Sequence, residues 1–216
     1  MPRRSLVEHR PWLFASLAAA IAYYFLSDES LGELWQVAIK GAAILCLAIY
    51  ALQRHPGSDA KILSGSLLLA ATGTMALELF PLWAGLFLFF SYAAAIALYL
   101  HHRRPAPSYS QRALGLALLV ATPLIAFALT GDLNVIAYGL VVGAMGFAAW
   151  LSAFPRYRVG VGAVMIVAAE LLWFAHGDRP GEQNLVDWLY WPLFFAGQFS
   201  VATGVIQSLR GQPVNR

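Results

Sequence analysis

Tyr157–His176, YRVGVGAVMIVAAELLWFAH, is an apolar run interrupted by a single acid, Glu170. About 20 predominantly apolar residues, coiled at roughly 1.5 Å per residue, match the hydrocarbon thickness of a bilayer, so the stretch reads as a transmembrane helix. A carboxylate at that depth costs roughly 2 to 3 kcal/mol or more and is normally turned toward a partner or a wet cavity. Glu170 is therefore the first candidate for function. The plainer alternative is a protonated glutamic acid that hydrogen-bonds a neighbouring helix.

The same pattern extends outward over the whole chain. The 216 residues are 60% hydrophobic and 12% charged, against roughly 25% charged for a soluble domain. The class this implies is all-α: a polytopic membrane helical bundle of about eight transmembrane helices, occupying 1–216 as a single transmembrane domain. The spans run approximately over 11–27, 35–52, 62–80, 83–100, 113–129, 135–154, 158–176 and 188–209. The leader MPRRSLVEHR and the run behind it resemble a signal peptide, with Ala18, Ala19 and Ala20 suited to cleavage. A retained first helix is favoured, because cleavage would break the charge alternation of the loops. Cys46, the one cysteine, lies in an apolar run, which excludes an internal disulfide and a cysteine-based metal site.

Eight spans put both termini on one side, and the charges test that count. The side of the termini receives Arg3, Arg4, Arg10, Arg54, Lys61, Arg103, Arg104, Arg112, Arg156, Arg158, Arg210 and Arg216, and the other receives Arg179 alone. This is the positive-inside pattern, so both termini are expected to be cytoplasmic. Apart from Lys40, within a span, the basic residues lie in loops, so nucleic acid is not an expected partner. Trp35, Trp83, Trp173, Trp188 and Trp191 are expected near the opposite face as an interfacial belt.

Topology converts position into depth. Lys40, Thr74, Glu78, Tyr138 and Glu170 fall in one layer in the outer half of the bilayer, with Tyr92 and Gln198 somewhat deeper as the floor of the same cavity. Thr74 and Glu78, four apart, share one face of the third helix. Each has a duller reading: Lys40 and Glu78 snorkel to the boundary, Tyr92 and Tyr138 pack with a satisfied hydroxyl, and Gln198 clamps two helices. Gly73, Gly143, Gly146, Gly162 and Gly197 read as close-packing positions. No P-loop, HExxH, cysteine pair or GxSxG occurs, so phosphate cradling, zinc peptidase and serine hydrolase chemistry lack support. His101 and His102, beside Arg103 and Arg104, read as interfacial charge; His55 and His176 stand alone. No metal and no cofactor are expected.

Lys40, the Tyr138–Met145–Ala149 pattern in IAYGLVVGAMGFAAW, GAVMIVAAELLWF with Glu170, and Gln198 in YWPLFFAGQF together resemble the lysoplasmalogenase family of YhhN type. The chain departs from that family's pattern at Gly73-Thr74, where an acid is expected after the glycine, at Tyr92 and Ala95, at Ala169-Glu170 in place of Ser-Asp, and at Gly41 in place of proline. Glu78, one turn beyond Thr74, offers a substitute carboxylate. The resemblance implies an integral membrane protein of the bacterial inner membrane that hydrolyses the vinyl ether of a lysoplasmalogen to a fatty aldehyde and a glycerophospho-alcohol. Its catalytic residues would be Glu170, Glu78 and Tyr92, and its substrate-binding residues Lys40, Thr74, Tyr138 and Gln198. The partner would be a lysophospholipid or related single-tailed ether lipid. A non-catalytic lipid-binding or transport protein on the same scaffold is the alternative, although Pro123 is the one proline well inside a span, and transporters more often show broken helices and repeats. A third reading pairs Glu170 with Lys40 for packing alone.

Overall fold

Backbone N–H and C=O groups in hydrocarbon must be satisfied within their own segment, and this is what turns each apolar run into a helix. A computed structural model describes residues 10–26, 33–77, 80–176 and 185–211. It contains α1 (Arg10–Leu26), α2 (Glu33–Arg54), α3 (Ser58–Ala76), α4 (Pro81–His101), α5 (Tyr109–Thr130), α6 (Asn134–Leu151), a π-helical turn (Arg156–Gly160) leading into α7 (Val161–His176), and α8 (Leu185–Gly211). Among the described residues there is no strand. The protein is an all-α membrane protein, with Leu34–Arg54, Pro81–His101, Tyr109–Thr130, Asn134–Leu151, Arg156–Ala175 and Trp188–Gly211 long and apolar enough to cross a bilayer. Helix α1 is apolar but has 17 residues, and α3 carries Asp59 and Lys61 in its opening turns. Arg3, Arg4, Glu78, Arg179 and Arg216 lie outside the described residues.

Helix ends explain where the expected spans shift. The third helix begins at Ser58 rather than near Ile62, behind Gly57, whose N–H donates to His55 Nδ1 at 3.1 Å, and Asp59 suits the positive end of the helix dipole. Its last described helical residue is Ala76, not Phe80. The sixth helix stops at Leu151 instead of Phe154. Ser152 turns extended, with ψ 163°, its hydroxyl donates to Ala149 O at 2.7 Å, and Pro155 bars continuation. Helix α5 ends on Gly131 at φ 70°, whose N–H donates to Phe127 O at 2.7 Å. That left-handed conformation favours glycine. Of the tryptophans expected in an interfacial belt, Trp35, Trp83, Trp173 and Trp188 are exposed, whereas Trp191 is core: it is 4% exposed and stacks on Phe195 at 5.9 Å.

The chain divides into two compact units, Met1–Ala94 with Ile206–Arg216, and Ala95–Val205. In the first unit α2 packs against α1 and α3. Ser16 Oγ donates to Ala43 O at 2.6 Å and Ser64 Oγ to Ala48 O at 3.0 Å. Between α3 and α4 the exchange is reciprocal: Ser66 Oγ donates to Ser91 O at 2.9 Å, and Ser91 Oγ to Ser66 O at 2.7 Å. A Cβ on Gly73 would lie 2.8 Å from Leu88 Cγ, so that contact requires glycine.

In the second unit α5, α6 and α7 pack on one another through small residues. A Cβ added at Gly143 would lie 2.7 Å from Leu118 O and 3.1 Å from Leu119 O of α5, and at Gly139 2.9 Å from Pro123 Cα. Pro123 has no N–H to give Leu119 O, its partner four residues back. The approach of the α6 backbone to these carbonyls is the close contact that small residues allow between membrane helices. At the α7–α8 crossing, a Cβ on Gly197 would meet Gly162 O at 2.7 Å, and one on Gly162 would meet Gly197 O at 2.9 Å.

Candidate functional site

Glu170 sits in the C-terminal half of α7, a helix apolar on all sides, and is 2% exposed. Its carboxylate is held across the helix interface: the Tyr138 hydroxyl, from the first turns of α6, donates to Glu170 Oε2 at 3.0 Å. Tyr138 is itself fixed by an edge-to-face contact with Phe174, centroids 5.8 Å apart, and Phe174 lies one turn beyond Glu170 on the same face. The Tyr138 ring thus meets two positions of α7 one turn apart, Glu170 and Phe174. A buried hydroxyl that donates to a carboxyl oxygen also orients the carboxyl group. Trp173, three residues after Glu170, contacts Tyr190 at 5.4 Å, and Tyr190 stacks on Phe194 at 5.9 Å, giving the end of α7 and the first turns of α8 an aromatic contact. Gln198 is 5% exposed, on the same unit's stretch of α8, immediately after the Gly197 crossing.

The first unit contains the other candidates. Lys40 is 3% exposed, which rules out a side chain snorkelled to the boundary. Its ammonium lies over the Tyr23 ring, 5.2 Å from the centroid, a cation–π contact that holds a charge amid apolar groups. Tyr23 was missed in the sequence, and a signal for it existed. It stands three residues before the end of α1, and Lys40 seven after the start of α2. The difference is about 6 Å along the axis, which a lysine reaching back toward its own N-terminus covers. Thr74 is fully buried, and its hydroxyl donates to Ala71 O at 2.9 Å within its own helix. Tyr92 is 2% exposed in α4. Glu78 falls outside the described residues, so its place on the face of Thr74 belongs to the sequence argument alone.

These features define a class: an all-helical membrane protein with ionisable side chains buried within its spans, one of them an acid oriented by a tyrosine. The chain belongs to the YhhN family, whose family model matches residues 35–205. The matched range runs from the start of α2 to the last turns of α8 and contains Lys40, Thr74, Tyr92, Tyr138, Glu170 and Gln198, leaving α1 with Tyr23 outside. Comparison with curated proteins and with solved structures gave no match.

Proposed function

We propose that this protein is a membrane hydrolase of lysoplasmalogenase type, acting on the vinyl ether bond of a single-tailed glycerophospholipid. The observation that carries the reading is the buried Glu170 carboxyl held by the Tyr138 hydroxyl at 3.0 Å in a chain of the YhhN family. The chemistry asks for a proton donor in a dry site. Glu170 delivers a proton to the alkenyl carbon remote from oxygen, and the adjacent carbon and the ether oxygen share the resulting positive charge. Water adds to that carbon and returns a proton to the carboxylate, giving a hemiacetal. The hemiacetal collapses to fatty aldehyde and glycerophospho-alcohol, so one water is consumed and the acid is regenerated.

The remaining residues take supporting parts in this proposal. Gln198, on the same unit as Glu170, contacts the polar glycerol, and the parts that the family resemblance implies for the others are head-group attraction for Lys40, glycerol contact for Thr74, and cation stabilisation and water positioning for Glu78 or Tyr92. The charge asymmetry of the loops favours both termini in the cytoplasm, eight spans, and a site in the outer half of the bilayer, and the family resemblance implies a bacterial inner membrane.

The test is to incubate the detergent-purified full chain and its Glu170→Gln variant with a lysoplasmalogen and to quantify fatty aldehyde by mass spectrometry. Aldehyde released by the wild type and lost in the variant is the expected result. A folded wild type that binds the lipid and releases no aldehyde overturns the hydrolase and leaves a lipid-binding protein on the same scaffold.

A further inference from the structure

The ends of α4 and α6 are joined by a short antiparallel backbone clasp that the chemistry above does not use. Ala153 N–H donates to His102 O at 2.7 Å and Arg104 N–H to Leu151 O at 3.1 Å, with Arg103 bridged to Ser152. His102 packs on Phe154 at 4.9 Å, and Phe154 on Tyr99 at 6.3 Å, so a buried aromatic cluster anchors the clasp from beneath. The start of α5 lies at the same end, because a Cβ on Gly115 would meet Phe147 and Leu151 of α6. The π-helical turn follows directly, with Gly160 against the face of the Trp150 ring, where a Cβ would fall 2.8 Å from Trp150 Cε3. Ordered backbone here carries a concentrated charge. The two segments HHRRPAPSYSQR (101–112) and LSAFPRYRVG (151–160) supply Arg103, Arg104, Arg112, Arg156 and Arg158 and contain no acid. Arg103 and Arg112 are exposed, and Arg104 and Arg156 partly so. Tyr109 and Tyr157 stand almost wholly free of the protein, at 90% and 94% exposure.

We infer that this arginine clasp is a binding site for the phosphodiester head group of an anionic phospholipid in the surrounding bilayer. The four helix ends that meet there all belong to helices of membrane-crossing length, which puts the clasp at the level where lipid phosphates lie. Guanidinium forks match phosphate oxygens in pairs, and clusters of arginine beside membrane helices attract anionic lipid. Tyr109 and Tyr157, amphipathic and unpacked, suit the head-group layer. Flexible loops would lose conformational freedom on binding, whereas the clasp has its backbone already fixed by hydrogen bonds, which lowers the entropic cost of gathering like charges around one anion.

The experiment is native mass spectrometry of the detergent-purified full chain titrated with phosphatidylglycerol or phosphatidylcholine. Phosphatidylglycerol is expected to bind more tightly. The Arg103→Gln/Arg156→Gln variant, one change on each side of the clasp, should weaken it about 25-fold, roughly fivefold per arginine, and leave phosphatidylcholine unchanged. Arg103→Lys/Arg156→Lys, which keeps the charge and loses the paired geometry, should fall between. The control Lys61→Gln/Arg210→Gln removes the same charge from exposed positions of the other unit and should stay within about twofold of wild type. Equal loss in the control, or no preference for phosphatidylglycerol, overturns the proposal. So does displacement of the lipid by inorganic phosphate at matching concentration, which would make the site one for a free anion.

Discussion

Ser66 and Ser91 fasten α3 to α4 by exchanging hydroxyl hydrogen bonds, at 2.9 and 2.7 Å to each other's carbonyls, whereas Gly162 and Gly197 bring α7 and α8 together with nothing between their backbones. Both solve one problem: lipid tails are as apolar as leucine, so helices in a bilayer gain little from hydrophobic burial against each other. Hydroxyl fasteners supply direction and tolerate small shifts in spacing. Glycine contacts supply dispersion over a long seam, and one added methyl is enough to force the helices apart. The contrast bears on Glu170. Gly139 and Gly143 set the contact of α5 with α6, and Gly162 and Gly197 that of α7 with α8, whereas the Tyr138–Glu170 bond joins α6 to α7, so replacing Glu170 separates a fastening part from a chemical one.

The largest effect expected is on turnover. Glu170→Gln should lower aldehyde release by about 10² to 10⁴-fold while the melting temperature in detergent changes little; a collapse of the fold would instead make the acid a packing element. Next comes Gly197→Ala, whose methyl would meet Gly162 O and Ile166 Cγ1, each at 2.7 Å. It should cost about 1 to 3 kcal/mol in reversible unfolding, and a neutral result would remove the glycine seam from the comparison. Tyr138→Phe should then reduce kcat about tenfold, or about 1.4 kcal/mol, with KM nearly unchanged, because the ring still packs on Phe174 and only the orienting bond is lost. A change confined to KM would return Tyr138 to substrate binding. Ser66→Ala is expected to cost about 0.6 kcal/mol, and about 1.7 at most, read as a shift in unfolding midpoint.

The helices were legible because each apolar run is bounded by prolines, glycines and charges; HPG before α3 and TGD after α5 are examples, and the helix ends fall near them. Tyr138 and Glu170 were also placed at one depth by counting residues from loop to loop, and the structure joins them. Facing was less legible. In a soluble helix one stripe is apolar and one polar, but here lipid and core are both apolar, so in α6 and α7 the close-packing glycines Gly143, Gly146 and Gly162 are the main signal for which side meets a neighbour. Ser16, Ser64, Ser66 and Ser91 join helices, yet nothing in the apolar runs around them marks them for it. Trp191 read as belt and is core for the same reason. The clasp was hidden more deeply, since its bonds run between backbone atoms on both sides and leave no mark in residue type beyond Pro155.

That clasp also sets a schedule for biosynthesis. His102 O receives its bond from Ala153 N–H, 51 residues later in the chain, so the end of α4 leaves the ribosome long before its partner exists. At roughly 5 to 20 residues per second the interval is about 3 to 10 seconds. Helices α5 and α6 must both be in place before the segment after α4 is closed, which makes the second unit a late and concerted step in assembly.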